Sequence, residues 1–136
     1  MARILLFLLL SIFCTNLVAQ DTGSPVGSID YKEVYSYENW YKSEKTPGYV
    51  YFLVTADWCA PCQVLLEKLK EANMQNKVIY VDFDKESRAA KLFTGGQGIP
   101  FLVRYEMYYK DGDSKISLRG KTVCKDRRYL EFLRGR

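Results

Sequence analysis

The chain has 136 residues, with 20 Lys and Arg, 16 Asp and Glu, four Cys and no His, and carries a net charge of +4. That length accommodates one compact domain and no second core, and a charge this close to balance singles out no polyanionic partner. Without histidine, and with only Cys59, Cys62 and Cys124 beyond the N-terminal signal described next, a closed four-ligand Cys/His zinc site within one molecule is excluded.

Arg3 precedes an apolar stretch from Ile4 to Phe13 and a small-residue exit at Leu17, Val18 and Ala19. This is the pattern of a secretory signal peptide cleaved after Ala19. The apolar run is shorter than the ~20 residues of a membrane span, and polar residues from Gln20 to Ser24 follow at once. A retained anchor is the alternative reading. Lipid attachment at Cys14 is disfavoured by bulky Phe13 before it. The expected organisation is a signal over 1–19, a flexible segment over 20–29 and a folded domain over 30–136, exported to a periplasm or secreted, with no membrane segment after cleavage.

Within the domain, a short strand is expected near Glu33 to Tyr35. Ser36 then caps a helix through Trp40 and Tyr41 that ends before Pro47 and Gly48. Tyr49 to Thr55 is nearly continuous in apolar residues, as befits a central strand covered on both faces. A helix from about Ala60 to Met74 follows, with Gln63, Glu67, Lys70 and Glu71 on its wet side. Val78 to Phe83 reads as the next buried strand, parallel to the first through a right-handed crossover. A short helix over Glu86 to Phe93 gives way to Gly95, Gly96, Gln97 and Gly98. Phe101 to Tyr109 and Lys115 to Leu118 flank a turn on Asp111, Gly112 and Asp113, a hairpin signal. The last helix is expected from about Lys125 to Leu133, burying Tyr129, Leu130 and Leu133. Strands alternating with helices and closing on a hairpin make the fold class α/β. The 11 tyrosines are spread along the domain from Tyr31 to Tyr129 and read as core and sheet cover.

The C-terminal end, Lys110 to Arg136, holds nine Lys or Arg against four Asp or Glu. It reads as a solvated basic surface, with docking onto an acidic partner or a phospholipid surface as the sharper alternative. There is no repeat, no low-complexity tract and no motif for nucleic acid.

The chemistry sits at Trp58, Cys59, Ala60, Pro61 and Cys62, where two thiols lie one helical turn apart just after the apolar run. Two cysteines at this spacing close and open a small disulfide ring with little movement of the fold. The thiolate is the nucleophile in thiol–disulfide exchange, so the first cysteine must ionise more readily than a free thiol of pKa about 8.5. A helix N-terminus achieves this through its unpaired N–H groups and positive dipole end, and Pro61 suits the first turn. Cys59 is therefore expected at the helix mouth as the attacking thiol. Cys62 shares a helical face with Leu65, Leu66 and Leu69 and is expected to be the more buried, resolving thiol. Half of a zinc site and a purely structural disulfide are the bland alternatives. The remaining Cys124 is a buried small hydrophobe, a free thiol or an intermolecular link.

The order strand, helix, strand, W-C-x-P-C helix, strand, helix, G-I-P, hairpin, helix resembles the thioredoxin family over roughly residues 30 to 135. Two separate motifs carry the resemblance: Trp58 to Cys62, and Gly98, Ile99, Pro100 some 40 residues later. It implies a thioredoxin-like three-layer fold with a central mixed sheet of four to five strands flanked by helices. It implies a cis bond before Pro100, packed beside the active disulfide, and identifies Gly120, placed after the final strand, with the family's glycine on the same surface. A substrate would lie as an added strand across Trp58, Ala60, Pro61, Ile99, Pro100 and Gly120, the backbone of Ile99 pairing with it. The chain departs from the family where many members carry a buried acid and a lysine: Leu53 and Tyr80 stand there. Proton transfer to and from Cys62 must then rely on water or on Asp57, which is expected to stay exposed.

These readings converge on an exported protein thiol–disulfide oxidoreductase that reduces protein disulfides through a Cys59/Cys62 cycle, as a monomer, with no cofactor other than that disulfide and no metal. Its partners are disulfide-containing proteins and an electron donor that the sequence does not identify. An oxidase or isomerase, and a non-catalytic binding module on the same scaffold, are the competing readings. Cys124, expected at the start of the last helix and at the same end of the sheet as Cys59, is a candidate regulatory thiol.

Overall fold

A computed structural model describes residues 30–135. The expected signal over 1–19 and the flexible segment over 20–29 lie outside the described residues. Four strands form one mixed sheet: β1 (Gly48–Thr55), β2 (Ile79–Asp82), β3 (Phe101–Tyr109) and β4 (Ile116–Val123), in the order β2-β1-β3-β4. β1 pairs parallel with β2 and antiparallel with β3, and β3 pairs antiparallel with β4. The apolar run therefore occupies an inner strand, as its composition demands, with Phe52, Leu53 and Val54 fully buried.

Alternation along β1 sorts the helices into two outer layers. Phe52 and Val54 face α2 (Tyr37–Lys42) and α4 (Ser87–Thr94), meeting Tyr37, Trp40, Ala89, Ala90 and Phe93. Leu53 faces α3 (Ala60–Glu71) and α5 (Tyr129–Leu133), meeting Leu65, Leu69 and Leu133. The result is a three-layer α/β fold. Its closest aromatic pair among the described residues is the stacking of Phe52 on Phe93, ring centroids 4.3 Å apart.

The local signals act as their chemistry requires. Ser36 Oγ accepts a hydrogen bond from the Asn39 N–H at the start of α2. Helix α3 ends earlier than expected because Asn73 turns into the left-handed region at φ 52°. The Met74 N–H then donates to Leu69 O and the Asn73 N–H to Lys70 O, and buried Met74 packs in the same cluster as Leu69. This closing motif satisfies the last carbonyls of the helix.

Three expectations are corrected. Residues 33–35 are not a strand: Asp30 accepts from the Lys32 and Glu33 N–H groups and caps a helical turn, α1 (Tyr31–Val34), while Tyr31 and Tyr35 stack at a separation of four. Only a single bridge, Ser36 to Tyr80, joins this segment to the sheet edge. Strand β4 runs past Leu118 to Val123, and Gly120 lies inside it. At φ 67°, Gly120 absorbs an extra residue as a bulge between the Glu106–Arg119 and Arg104–Thr122 pairs. Finally, α5 begins at Tyr129 because Asp126 and Arg127 both adopt positive φ, 57° and 55°, and cannot continue a right-handed helix. No helix among the described residues is long and apolar enough to cross a membrane.

The Phe52 contact yields a direct test. Phe52→Ala should cost about 3–5 kcal/mol of unfolding free energy in urea titration, whereas Leu92→Ala, on the exposed face of α4, should cost less than about 0.5 kcal/mol. Equal losses would contradict the packing described.

Candidate active site

The inner strand β1 delivers the chain to the site. After Thr55 it leaves the sheet through buried Ala56 and exposed Asp57 and Trp58, and the Cys59 N–H donates to Ala56 O, which turns the backbone into α3. Cys59 is the N-cap of that helix. Its backbone is extended, and its Sγ accepts from the Cys62 N–H at 3.2 Å. A sulfur thus occupies the place a serine or aspartate oxygen usually takes, against the free donors and the positive end of the helix. Pro61 lies in the first turn, where its lack of an N–H leaves no gap.

Cys59 and Cys62 form a disulfide with Cα atoms 5.2 Å apart. Cys62 is fully buried and Cys59 is 4 % exposed, and with Ala56 they make a small cluster against Phe83 and Ile99. The peptide bond from Ile99 to Pro100 is cis, and Ile99 O lies 3.8 Å from Cys59 Sγ. Two motifs 40 residues apart in the chain therefore meet at one sulfur.

The flanking residues divide into two groups. Ala60, Pro61, Ile99 and Pro100 line a groove of about 690 Å³ beside the disulfide, together with Gly98, Val64, Leu65, Lys68, Arg127 and Tyr129. Trp58 turns away from it: its ring meets Phe83 edge-on and its Nε1–H donates to Asp84 Oδ2 at 2.9 Å, leaving the indole 65 % exposed. Gly120 does not reach the groove. It sits in the β4 bulge opposite Tyr105, five positions along β3 from Pro100, because β4 continues beyond it. The residue that follows β4 is Cys124, whose N–H donates to Leu102 O, two positions past the cis proline.

At the positions of Leu53 and Tyr80 the sheet carries no acid–lysine pair. Leu53 and Tyr80 are register partners, both buried, and the Tyr80 hydroxyl donates to Gln75 O. Burial pushes that phenol far above its ordinary value, so it stays neutral. Asp57 is exposed and paired with Lys32 Nζ at 3.2 Å. Among the described residues no group of three or more His, Cys, Asp and Glu is placed to hold a metal ion.

Sequence reasoning missed Asp84, Lys68 and Arg127. Lys68 was within reach, since Pro61, Val64 and Lys68 follow the three-to-four spacing of one helical face. Arg127 was not, because its place depends on two non-glycine residues in the left-handed region. Cys124 was expected at the start of the last helix and at the same end of the sheet as Cys59, as core filling or as a regulatory thiol. It is instead a free, half-buried thiol in the turn after β4, packed on the cluster of Leu53, Leu65 and Leu69, and separate from the cluster that holds the disulfide.

Burial, and secondarily the Asp126 carboxylate, raises the Cys124 thiol above its ordinary value, so its thiolate is scarce at neutral pH and becomes common only as the pH rises through that raised value. In the reduced protein at pH ~7, well below the ordinary thiol pKa of about 8.5, iodoacetamide should modify Cys59 first. Cys124 labelling should climb only in alkaline buffer. Peptide mapping that finds both labelled at equal rates at neutral pH would contradict this.

No family model and no curated protein matches the chain. Among solved structures it is similar to the thioredoxin of Trichomonas vaginalis, at 30 % sequence identity over 65 % of this chain and 79 % of that one, with a TM-score of 0.42. The identity and its coverage agree with what the residues build by themselves: a W-C-A-P-C pair capping a helix and a cis Ile99–Pro100 bond set against its first sulfur. The chain belongs to the thioredoxin family.

Proposed function

We propose that the protein is an exported thiol–disulfide oxidoreductase that reduces disulfides in other proteins. The observation that carries the reading is the position of Cys59 Sγ, which accepts the Cys62 N–H at the mouth of α3 beside the Ile99 carbonyl. In the reduced enzyme this geometry holds a thiolate. The Cys59 thiolate attacks one sulfur of a substrate disulfide, the substrate S–S bond breaks, and the departing thiolate takes a proton from water. The Cys62 thiolate then attacks Cys59 Sγ, releases the second substrate thiol and leaves the Cys59–Cys62 disulfide. Two electrons pass from enzyme to substrate, and a separate dithiol donor must restore the pair.

Direction is read from chemistry. Ala60 and Pro61 place no imidazolium between the cysteines, so no cation within the ring adds to the helix-end stabilisation of the thiolate. Excess stabilisation of the reduced form is what makes a strong oxidant, and its absence favours a reductant. With Leu53 and Tyr80 in place of an acid and a lysine, and Asp57 paired with Lys32, water serves Cys62 as proton acceptor and makes the resolving step the slower one near neutrality. The N-terminal Arg3 and the apolar run to Phe13 support export, with the folded domain acting as a monomer in a periplasm or outside the cell, where protein disulfides are common.

Insulin reduction with dithiothreitol as donor tests the reading. The protein lacking residues 1–19 should accelerate it, Cys59→Ser should fall to background, and Cys62→Ser should accumulate a mixed disulfide with insulin on a non-reducing gel. Wild type and Cys59→Ser of equal activity would leave a binding module. A reduction potential near the −120 mV of a strong oxidant, rather than the roughly −270 mV of thioredoxin, would make it an oxidase.

A further inference from the structure

We propose that the groove beside the disulfide selects peptide disulfides whose cysteine is flanked by acidic residues, an inference that rests on the oxidoreductase reading above. The floor of the groove is apolar, formed by Pro61, Val64, Ile99 and Pro100, and its two charged lining residues, Lys68 and Arg127, are both cations. No Asp or Glu lines it. Neither cation belongs to any of the ion pairs found among the described residues. Two acids flanking the site are engaged elsewhere, Asp57 with Lys32 and Asp84 with the Trp58 indole.

The two cations reach the groove by different routes. Lys68 follows Pro61 and Val64 on one face of α3, so the helix that carries the cysteines also carries the charge. Arg127 arrives through a turn in which it and Asp126 both hold positive φ, a conformation side-chain-bearing residues avoid. A helix continuing from Lys125 would relieve that conformation, and the chain instead keeps a turn that brings Arg127 to the groove wall opposite α3.

A peptide laid along the groove with its disulfide at Cys59 covers the apolar floor and excludes water there. That lowers the local dielectric and strengthens its attraction to Lys68 and Arg127. Carboxylates beside the substrate cysteine meet unpaired cations, whereas lysines there meet like charge, so both attraction and repulsion discriminate. The net charge of the whole chain plays no part; selection comes from two residues at the reacting end.

Two disulfide-linked peptides of equal length, one with glutamates and one with lysines beside the cysteines, provide the test against the pre-reduced full chain. Two exposed charge contacts of ordinary strength predict that the acidic peptide reacts about fivefold faster at ~20 mM salt. The gap should shrink toward equality at ~0.5 M salt as the charges are screened. The double variant Lys68→Glu, Arg127→Glu should reverse the preference. Equal rates for wild type on both peptides at low salt, or a preference that persists at high salt, overturn the proposal while leaving the oxidoreductase reading intact. The wild-type arm decides this even if the double variant fails to fold. Failure to react with either peptide overturns both.

Discussion

The site depends on one contact, the Cys62 N–H donating to Cys59 Sγ at the start of α3. A helix begins with unsatisfied donors and a positive end, and here the group that answers them is a sulfur rather than an oxygen. The rest of the fold keeps that helix end in place. β1, buried between β2 and β3, aims the chain at it, and Leu65 and Leu69 hold the body of α3 on the sheet. The left-handed Asn73 and the bonds around it fasten the far end of the helix. The cis Ile99–Pro100 segment then closes over the sulfur from the opposite strand.

Around this shared core the chain carries features of its own. Leu53 and Tyr80 are buried register partners on β1 and β2, so an apolar residue and a neutral phenol stand where an acid and a lysine could have sat. Trp58 is fixed by Asp84 on the β2–α4 side, whereas the groove opens between α3 and the turn before α5. The groove and the indole thus lie on different walls of the site.

Much of this was legible in the residues. The run from Tyr49 to Thr55 is too apolar for anything but an inner strand, Ser36 is a cap wherever it precedes a helix, and the W-C-A-P-C and G-I-P motifs locate the two halves of the site. What escaped was set by tertiary context or by unusual backbone. The segment around Glu33 has the aromatic content of a strand, yet the Asp30 cap and the Tyr31–Tyr35 stack make it a helical turn. Gly120 reads as a strand terminator, yet the strand runs past it as a bulge, with Arg119 and Glu106 paired across β4 and β3 just before it. The positive φ of Asp126 and Arg127 leaves no mark in composition, so both the late start of α5 and the cation on the groove wall were out of reach.

The measurement that bears most directly on the account is a titration of the reduced protein followed by thiolate absorbance, with Cys124→Ser used to isolate the pair. An attacking sulfur held by the N-terminus of α3 predicts ionisation at least about one unit below the 8.5 of a free thiol. Ionisation at or above that value would contradict the claim that the helix end activates Cys59.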